Sequence, residues 1–228
     1  MRWVTLSVAL VSLSGCGDAM LPSDYTGPPV GVVTGNVQPG LPEESTGAIQ
    51  PQLSLEWLVD SNVSDPLVAQ SVSFQRSERL QHDWDIGLFV PTARAKFEVD
   101  VERATHAARI GVAKMVYYDD RDGSHRIDWS CTSGACNRVL AISAQYVVFV
   151  ESPFSCQRVG QLVPRASLTA GYHYYSLDGS WPRELGPTDS MSFVTVAGAT
   201  DSGPPTTDLR NFAERLVRSW NLGLLDGC

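Results

Sequence analysis

The densest run of oxygen donors in the chain is Asp120-Arg121-Asp122-Gly123-Ser124-His125-Arg126-Ile127-Asp128. The carboxylates of Asp120 and Asp122, the Ser124 hydroxyl and the backbone carbonyl of Arg126 fall at every second position, with Asp128 or the preceding Asp119 as a further carboxylate. Oxygens spaced in this way turn to one side when the chain curls, which suits a hard cation such as calcium. Histidine offers a different chemistry, but His82, His106, His125 and His173 are far apart and none has a metal-type partner two to four positions on. His82 stands beside Asp83 and Asp85, and a His–Asp dyad is one part of a hydrolase. The rest of such a machine is missing from the sequence, which has no GxSxG elbow, no S-x-x-K pair and no HExxH segment. The sequence therefore nominates no catalytic residue and reads as non-enzymatic, with a hydrolase as the remotest alternative. Tyr172, His173, Tyr174, Tyr175 and Trp181 form an aromatic group of the kind on which sugars stack. On a strand, however, Tyr172 and Tyr174 face one way and Tyr175 the other, so one set belongs to the core.

The acidic run resembles the opening of the calcium loop of EF-hands and dockerin modules, with Ile127 at its apolar eighth place. It departs from that pattern at position six, where His125 replaces the turn-making Gly, and at position twelve, where Cys131 replaces the closing Glu. An acidic hairpin turn without a metal is the competing reading. Taken with the apolar strand before it, the segment Tyr118-Asp119-Asp120-Arg121-Asp122-Gly123 with Ile127-Asp128 also resembles lipoproteins of GC-rich Gram-negative bacteria. Those carry a degenerate calcium-type turn inside a transthyretin-like sandwich. The resemblance spans roughly residues 30–200 and implies a fold, an antiparallel β-sandwich, but no activity.

The elements that must position these residues are mostly strands. Leu53, Leu55, Trp57 and Val59 alternate with Ser54, Glu56, Leu58 and Asp60, and Phe97, Val99 and Val101 alternate with Glu98, Asp100 and Glu102, as in two-faced strands. Residues 110–118 and 146–150 are apolar on both faces and are expected to be central. Further strands are expected at 31–37, 68–74, 85–90, 139–141, 172–177 and 192–196, separated by turn signals such as Asp65-Pro66, Asp122-Gly123 and Asp178-Gly179. Many short strands at such intervals predict a mostly-β sandwich or barrel rather than alternating β and α units, and the sandwich is preferred. One helix is expected near the end, capped by Thr207 or Asp208, with Leu209, Phe212, Leu216, Val217 and Trp220 on the face that docks onto the sandwich.

At the other end, Met1-Arg2-Trp3-Val4 and the apolar Thr5-Leu6-Ser7-Val8-Ala9-Leu10-Val11-Ser12 form the charged and hydrophobic regions of a secretory signal. The run is too short to span a bilayer, which takes about 20 apolar residues. Leu13-Ser14-Gly15-Cys16 resembles the lipobox of bacterial lipoproteins. That resemblance implies removal of residues 1–15, lipidation of Cys16, and a cell-envelope location anchored to the membrane by its acyl chains. Gly17 follows the Cys, rather than an Asp, and this favours outer-membrane sorting. Residues 16–29, with Pro22, Pro28 and Pro29, are expected to be a flexible tether, residues 30–200 the sandwich domain, and residues 201–228 a linker with the docked helix.

Composition narrows the partners. A hydrophobic share of 43% supports a packed core, and a net charge of −8 argues against a nucleic-acid partner. With Cys16 lipidated, Cys131, Cys136, Cys156 and Cys228 remain, an even set in an oxidising compartment with three possible pairings. The favoured one joins Cys131 to Cys136, worth ~2 kcal/mol in the chain-entropy model, and Cys156 to Cys228, worth ~4 kcal/mol. A zinc site is the competing reading, for which the spacings lack two close Cys pairs. The expected function is that of a lipid-anchored envelope lipoprotein with a structural or interaction role and an envelope protein as partner. A calcium-stabilised or carbohydrate-binding module is the alternative.

Overall fold

A computed structural model describes residues 19–20, 30–36, 51–59, 67–73, 83–91, 93–99, 108–121, 127, 129, 137–156, 165–186, 193–195 and 205–221. In chain order its strands are β1 (Ala19–Met20), β2 (Gly31–Asn36), β3 (Pro51–Leu58), β4 (Leu67–Ser73) and β5 (Asp83–Leu88). A 3-10 turn at Ala93–Ala95 precedes β6 (Phe97–Val99), β7 (Ala108–Asp119), β8 (Arg138–Ser143), β9 (Tyr146–Val150) and β10 (Phe154–Cys156). Then come β11 (Arg165–Leu168), β12 (Gly171–Asp178), β13 (Trp181–Glu184) and β14 (Phe193–Thr195), and helix α1 (Thr206–Asn221) ends the described chain.

The protein is mostly antiparallel β-sheet with a C-terminal helix. Its longest strand, β7, is the axis of a ten-stranded sheet ordered β1-β4-β3-β7-β9-β12-β13, with β6, β8 and β14 branching from it. Residues on both faces of β7 and β9 are buried, as their doubly apolar sequences predict for central strands. Along one edge β7 carries β3 and then β6, and along the other β8 and then β9. The last two amount to one strand with a bulge. Ile142 lies opposite Val116 and Val147 opposite Ala113, so the outer chain uses two more residues than β7 to cover the same distance. Ser143 repairs the ladder there, because its hydroxyl accepts the Met115 N–H at 3.1 Å and donates to the Gln145 carbonyl at 2.8 Å. Beyond this kink the sheet divides, β8 taking β14 on its outer edge and β9 taking β12 and then β13.

Each face of the sheet has its own core. Val112, Tyr146, Val148, Val150 and Tyr175 pack against α1 through Leu209, Phe212, Ala213, Leu216 and Trp220. The face expected from the 3, 4, 7 spacing is the one buried, while Arg210, Asn211, Glu214 and Arg215 are exposed. On the opposite face Leu53, Leu55, Trp57, Met115, Val147 and Phe149 pack with Leu88, at the end of β5, and with Ala95 of the 3-10 turn. β5 pairs with β2, so among the described residues this second face is covered by a two-stranded ladder. The described residues thus contain one large sheet with a helix on one side and a small ladder on the other, and a sandwich of two full sheets goes beyond them.

Ten of the elements coincide with expected strands to within a few residues, and four were not expected. Ala19–Met20 falls inside the segment expected to be a tether and pairs with β4. β10 and β11 form a separate short ladder without an alternation long enough to notice. β13 contains Pro182, which ordinarily argues against a strand. It is tolerated because, among the described residues, β13 ends its branch of the sheet, and a missing N–H costs nothing on the unpaired side.

Candidate functional site

On β3 the odd positions enter the core between the sheet and the β2–β5 ladder. The even positions Gln52, Ser54 and Glu56, which alternation would assign to solvent, are also buried, Glu56 to 1% exposure. A buried carboxylate requires partners. Ser54 donates its hydroxyl proton to Glu56 Oε1, and the indole N–H of Trp129 donates to Oε2 at 3.3 Å. Trp129 directly follows the acidic run, so Glu56 ties that one residue to the sheet. Directly across the ladder from Glu56 is Lys114 on β7.

Lys114 is the hub of the seam. Its ammonium lies 2.7 Å from Asp208 Oδ2 and 4.3 Å from the centre of the Tyr146 ring, an ion pair and a cation–π contact on one nitrogen. The Tyr146 hydroxyl donates to Asp208 Oδ1 at 2.9 Å, and its ring stacks on Phe212 at 3.8 Å and 5°. Burial first, and the Asp208 charge second, hold the Tyr146 hydroxyl protonated far above the ordinary tyrosine range. Asp208 was expected as a possible helix cap. The backbone instead begins its bonding at Pro205, whose carbonyl accepts the Leu209 N–H at 2.8 Å, and Asp208 lies in the first turn with its carboxylate committed to the sheet. An acid there also meets the positive end of the helix dipole. Chemically the arrangement is a fastener: opposite charges on the sheet and the helix neutralise each other across their interface.

The expected cation loop begins where β7 ends. Asp119 is 3% exposed and accepts from Arg121 Nε at 2.9 Å, while the Arg121 N–H donates to Asn137 Oδ1 at 2.8 Å, tying the two ends of the segment. Asp120 is fully buried. The other expected ligands, Asp122, Ser124, Arg126 and Asp128, lie outside the described residues, and so does His125. Among the described residues no group of three or more His, Cys, Asp or Glu is gathered to hold a metal ion. Cys16, Cys131, Cys136 and Cys228 also lie outside them, and Cys156 is described only as the backbone end of β10.

In the sequence His173 has no partner two to four positions on, but the structure gives it a carboxylate. Its Nδ1 is 2.7 Å from Glu184 Oε1 and its Nε2 is 2.8 Å from the Thr169 carbonyl. The signal for this pair is the Asp178-Gly179 turn: Gly179 adopts φ 61°, Asp178 pairs with Trp181, and the register then sets Glu184 diagonally across from His173. His82 and His106 lie outside the described residues, so the candidate His82 dyad does as well.

The aromatic group divides as strand geometry requires. Tyr175 is core on the helix side, whereas Tyr172 and Tyr174 pack on the other face. Tyr172 meets Phe149 edge-on at 5.1 Å and donates its hydroxyl to the Phe89 carbonyl. Trp181 is the exposed member, at the tip of the β12–β13 hairpin. These rings are mainly packing.

The chain matches no known protein family, no curated protein and no solved structure. No helix among the described residues is long and apolar enough to cross a membrane.

Proposed function

We propose that this protein is a lipid-anchored lipoprotein of the bacterial cell envelope that acts as a structural or interaction module, held to the outer membrane through Cys16. The observation that carries the proposal is the Leu13-Ser14-Gly15-Cys16 sequence behind a short charged and apolar leader. Each buried methylene of an acyl chain contributes about 0.8 kcal/mol, and two or more chains anchor stably. What the fold adds is the use made of its charges. Lys114, Asp208, Tyr146 and Glu56 join the helix and Trp129 to the sheet, which suits a rigid body that presents surface to an envelope partner.

The test is to express the chain and Cys16→Ser in a Gram-negative host fed a radiolabelled fatty acid, and then to separate membrane from soluble fractions. The native chain is expected to carry label and sediment with outer membrane, and the variant to be unlabelled and soluble. An unlabelled native chain, or a variant that stays membrane-bound, would overturn the proposal. Calorimetric titration of the same chain with calcium separates this reading from a calcium-stabilised module, because only the latter gives saturable heat and a raised melting temperature.

A further inference from the structure

The two nitrogens of His173 both face acceptors. Glu184 Oε1 is a carboxylate oxygen at 2.7 Å from Nδ1, and Thr169 O is a carbonyl oxygen at 2.8 Å from Nε2. A carboxylate oxygen and a carbonyl oxygen both accept, and a neutral imidazole carries one N–H, which satisfies only one of the two. Both bonds exist together only when the ring is the imidazolium, with Nδ1–H donating to Glu184 and Nε2–H donating to Thr169. The three residues belong to three stretches of chain: the turn before β12, β12 itself, and β13.

We infer that His173 is a proton-operated clasp on the edge strand β13, closed by the imidazolium and opened when the ring loses a proton. Among the described residues β12 is the one strand paired with β13. The clasp therefore supplies a side-chain tie at the strand's far end, near the Leu185 N–H that donates to the Tyr174 carbonyl at 2.7 Å.

The surroundings leave Glu184 as the charge that acts on the ring. Opposite His173 on β9 is Val148, with Tyr146 diagonal to it, and Tyr175 shares its face on β12. Burial holds both tyrosines in the protonated, neutral form. Asp208 and Arg215 of α1 bear on Tyr146 rather than on His173. Burial by itself pushes the His173 imidazolium down, but the bonds to Glu184 and Thr169 and the Glu184 charge more than reverse this and leave it raised. A raised folded-state value means that the clasp's contribution is fully present below the unfolded value, about 6.5, and is lost as pH rises through the folded one.

The test follows the His173 ring nitrogens of the purified full chain by NMR from about pH 5 to about pH 9. Hydrogen-exchange protection of the β12–β13 amides is measured over the same range. Expected are protons on both ring nitrogens, a midpoint above that of free histidine, and loss of β13 protection in step with it while β7 amides stay protected. Glu184→Gln, a change at a half-exposed side chain, is expected to lower the midpoint and to move the loss of protection to the same lower pH. A His173 that titrates at or below the free value, or β13 protection indifferent to its titration, would overturn the clasp.

Discussion

Removing Asp208 and removing Lys114 break the same ion pair, yet the structure predicts unequal damage. The Lys114 side chain is 11% exposed and that of Asp208 is 48% exposed. In Asp208→Ala the ammonium stays in a nearly dry position without its counter-charge, and the Tyr146 hydroxyl loses its acceptor. Stranding one member of a fully buried pair costs roughly 3–5 kcal/mol, and exposed pairs contribute about 0–1 kcal/mol. With one partner dry and the other half in water, Asp208→Ala is expected to cost about 2–3 kcal/mol. Lys114→Met keeps the stem, removes the charge that needed a partner, and leaves Asp208 in contact with water and Tyr146 and Glu56 with its bonds from Ser54 and Trp129, so about 1 kcal/mol or less is expected. The double variant lacks the stranded charge altogether and is expected to be more stable than Asp208→Ala alone, with a coupling of about 1–2 kcal/mol. Urea unfolding followed by tryptophan fluorescence measures all four species, since the buried Trp57 and Trp220 report on the two cores. If Lys114→Met were as damaging as Asp208→Ala, or if the single effects summed to the double within about 0.5 kcal/mol, the fastener account would fail.

Two further outcomes rest on equally local geometry. A methyl group at Gly111 would lie 2.8 Å from the Ala95 carbonyl oxygen and 2.9 Å from a Trp57 ring carbon, neither of them the loose end of a side chain. Overpacking of this kind costs about 1–3 kcal/mol, so Gly111→Ala is expected to lower the melting temperature by roughly 2–12 °C by scanning calorimetry. Gly31→Ala, whose nearest atoms are 3.9 Å away, is expected to leave it unchanged, and equal behaviour of the two would contradict the packing. Just past the end of β9, Glu151 takes the Lys96 ammonium on one oxygen and Arg109 Nη1 at 3.0 Å on the other, and these bonds, that from Lys96 foremost, hold its carboxyl below the usual range. A lowered folded-state value gives stability above the unfolded value that is lost as pH falls through the folded one. Glu151→Gln should therefore lower the urea midpoint near neutral pH and flatten its decline in acid, and an acid limb parallel to that of the native chain would exclude this role.

The fold was most readable where a single force decides the outcome. Residues 110–118 and 146–150 are apolar on both faces and became β7 and β9, because strands of that kind have nowhere to go but the centre. The helix face was equally plain, since Leu209, Phe212, Leu216 and Trp220 recur at the helical period. The seam was hidden because it depends on layers that come from elsewhere in the chain. Ser54 and Glu56 look like a solvent face until Trp129 is laid over them, and Lys114 looks like a lone charge in an apolar run until α1 brings Asp208 to it. The His173 clasp was hidden differently, since Pro182 disguised the strand that carries Glu184.

Why a charged fastener should join helix to sheet follows from what an apolar stripe cannot specify. Leu209, Phe212, Leu216 and Trp220 would bury similar area if α1 slid by one turn, about 5.4 Å, along the sheet, because burial is roughly proportional to area and indifferent to register. A slide of that length would carry Asp208 out of reach of both Lys114 and the Tyr146 hydroxyl, leaving an ammonium and a phenol in a dry interface without an acceptor. The charges add little to the total strength of docking, as partly exposed pairs generally do. Their effect is to make one position of the helix acceptable and its neighbours costly, the role best attested for polar groups in otherwise apolar interfaces. Lys114→Met should accordingly loosen the register of α1 more than its stability, so amide exchange in the first helical turn should rise by a larger factor than the urea midpoint falls.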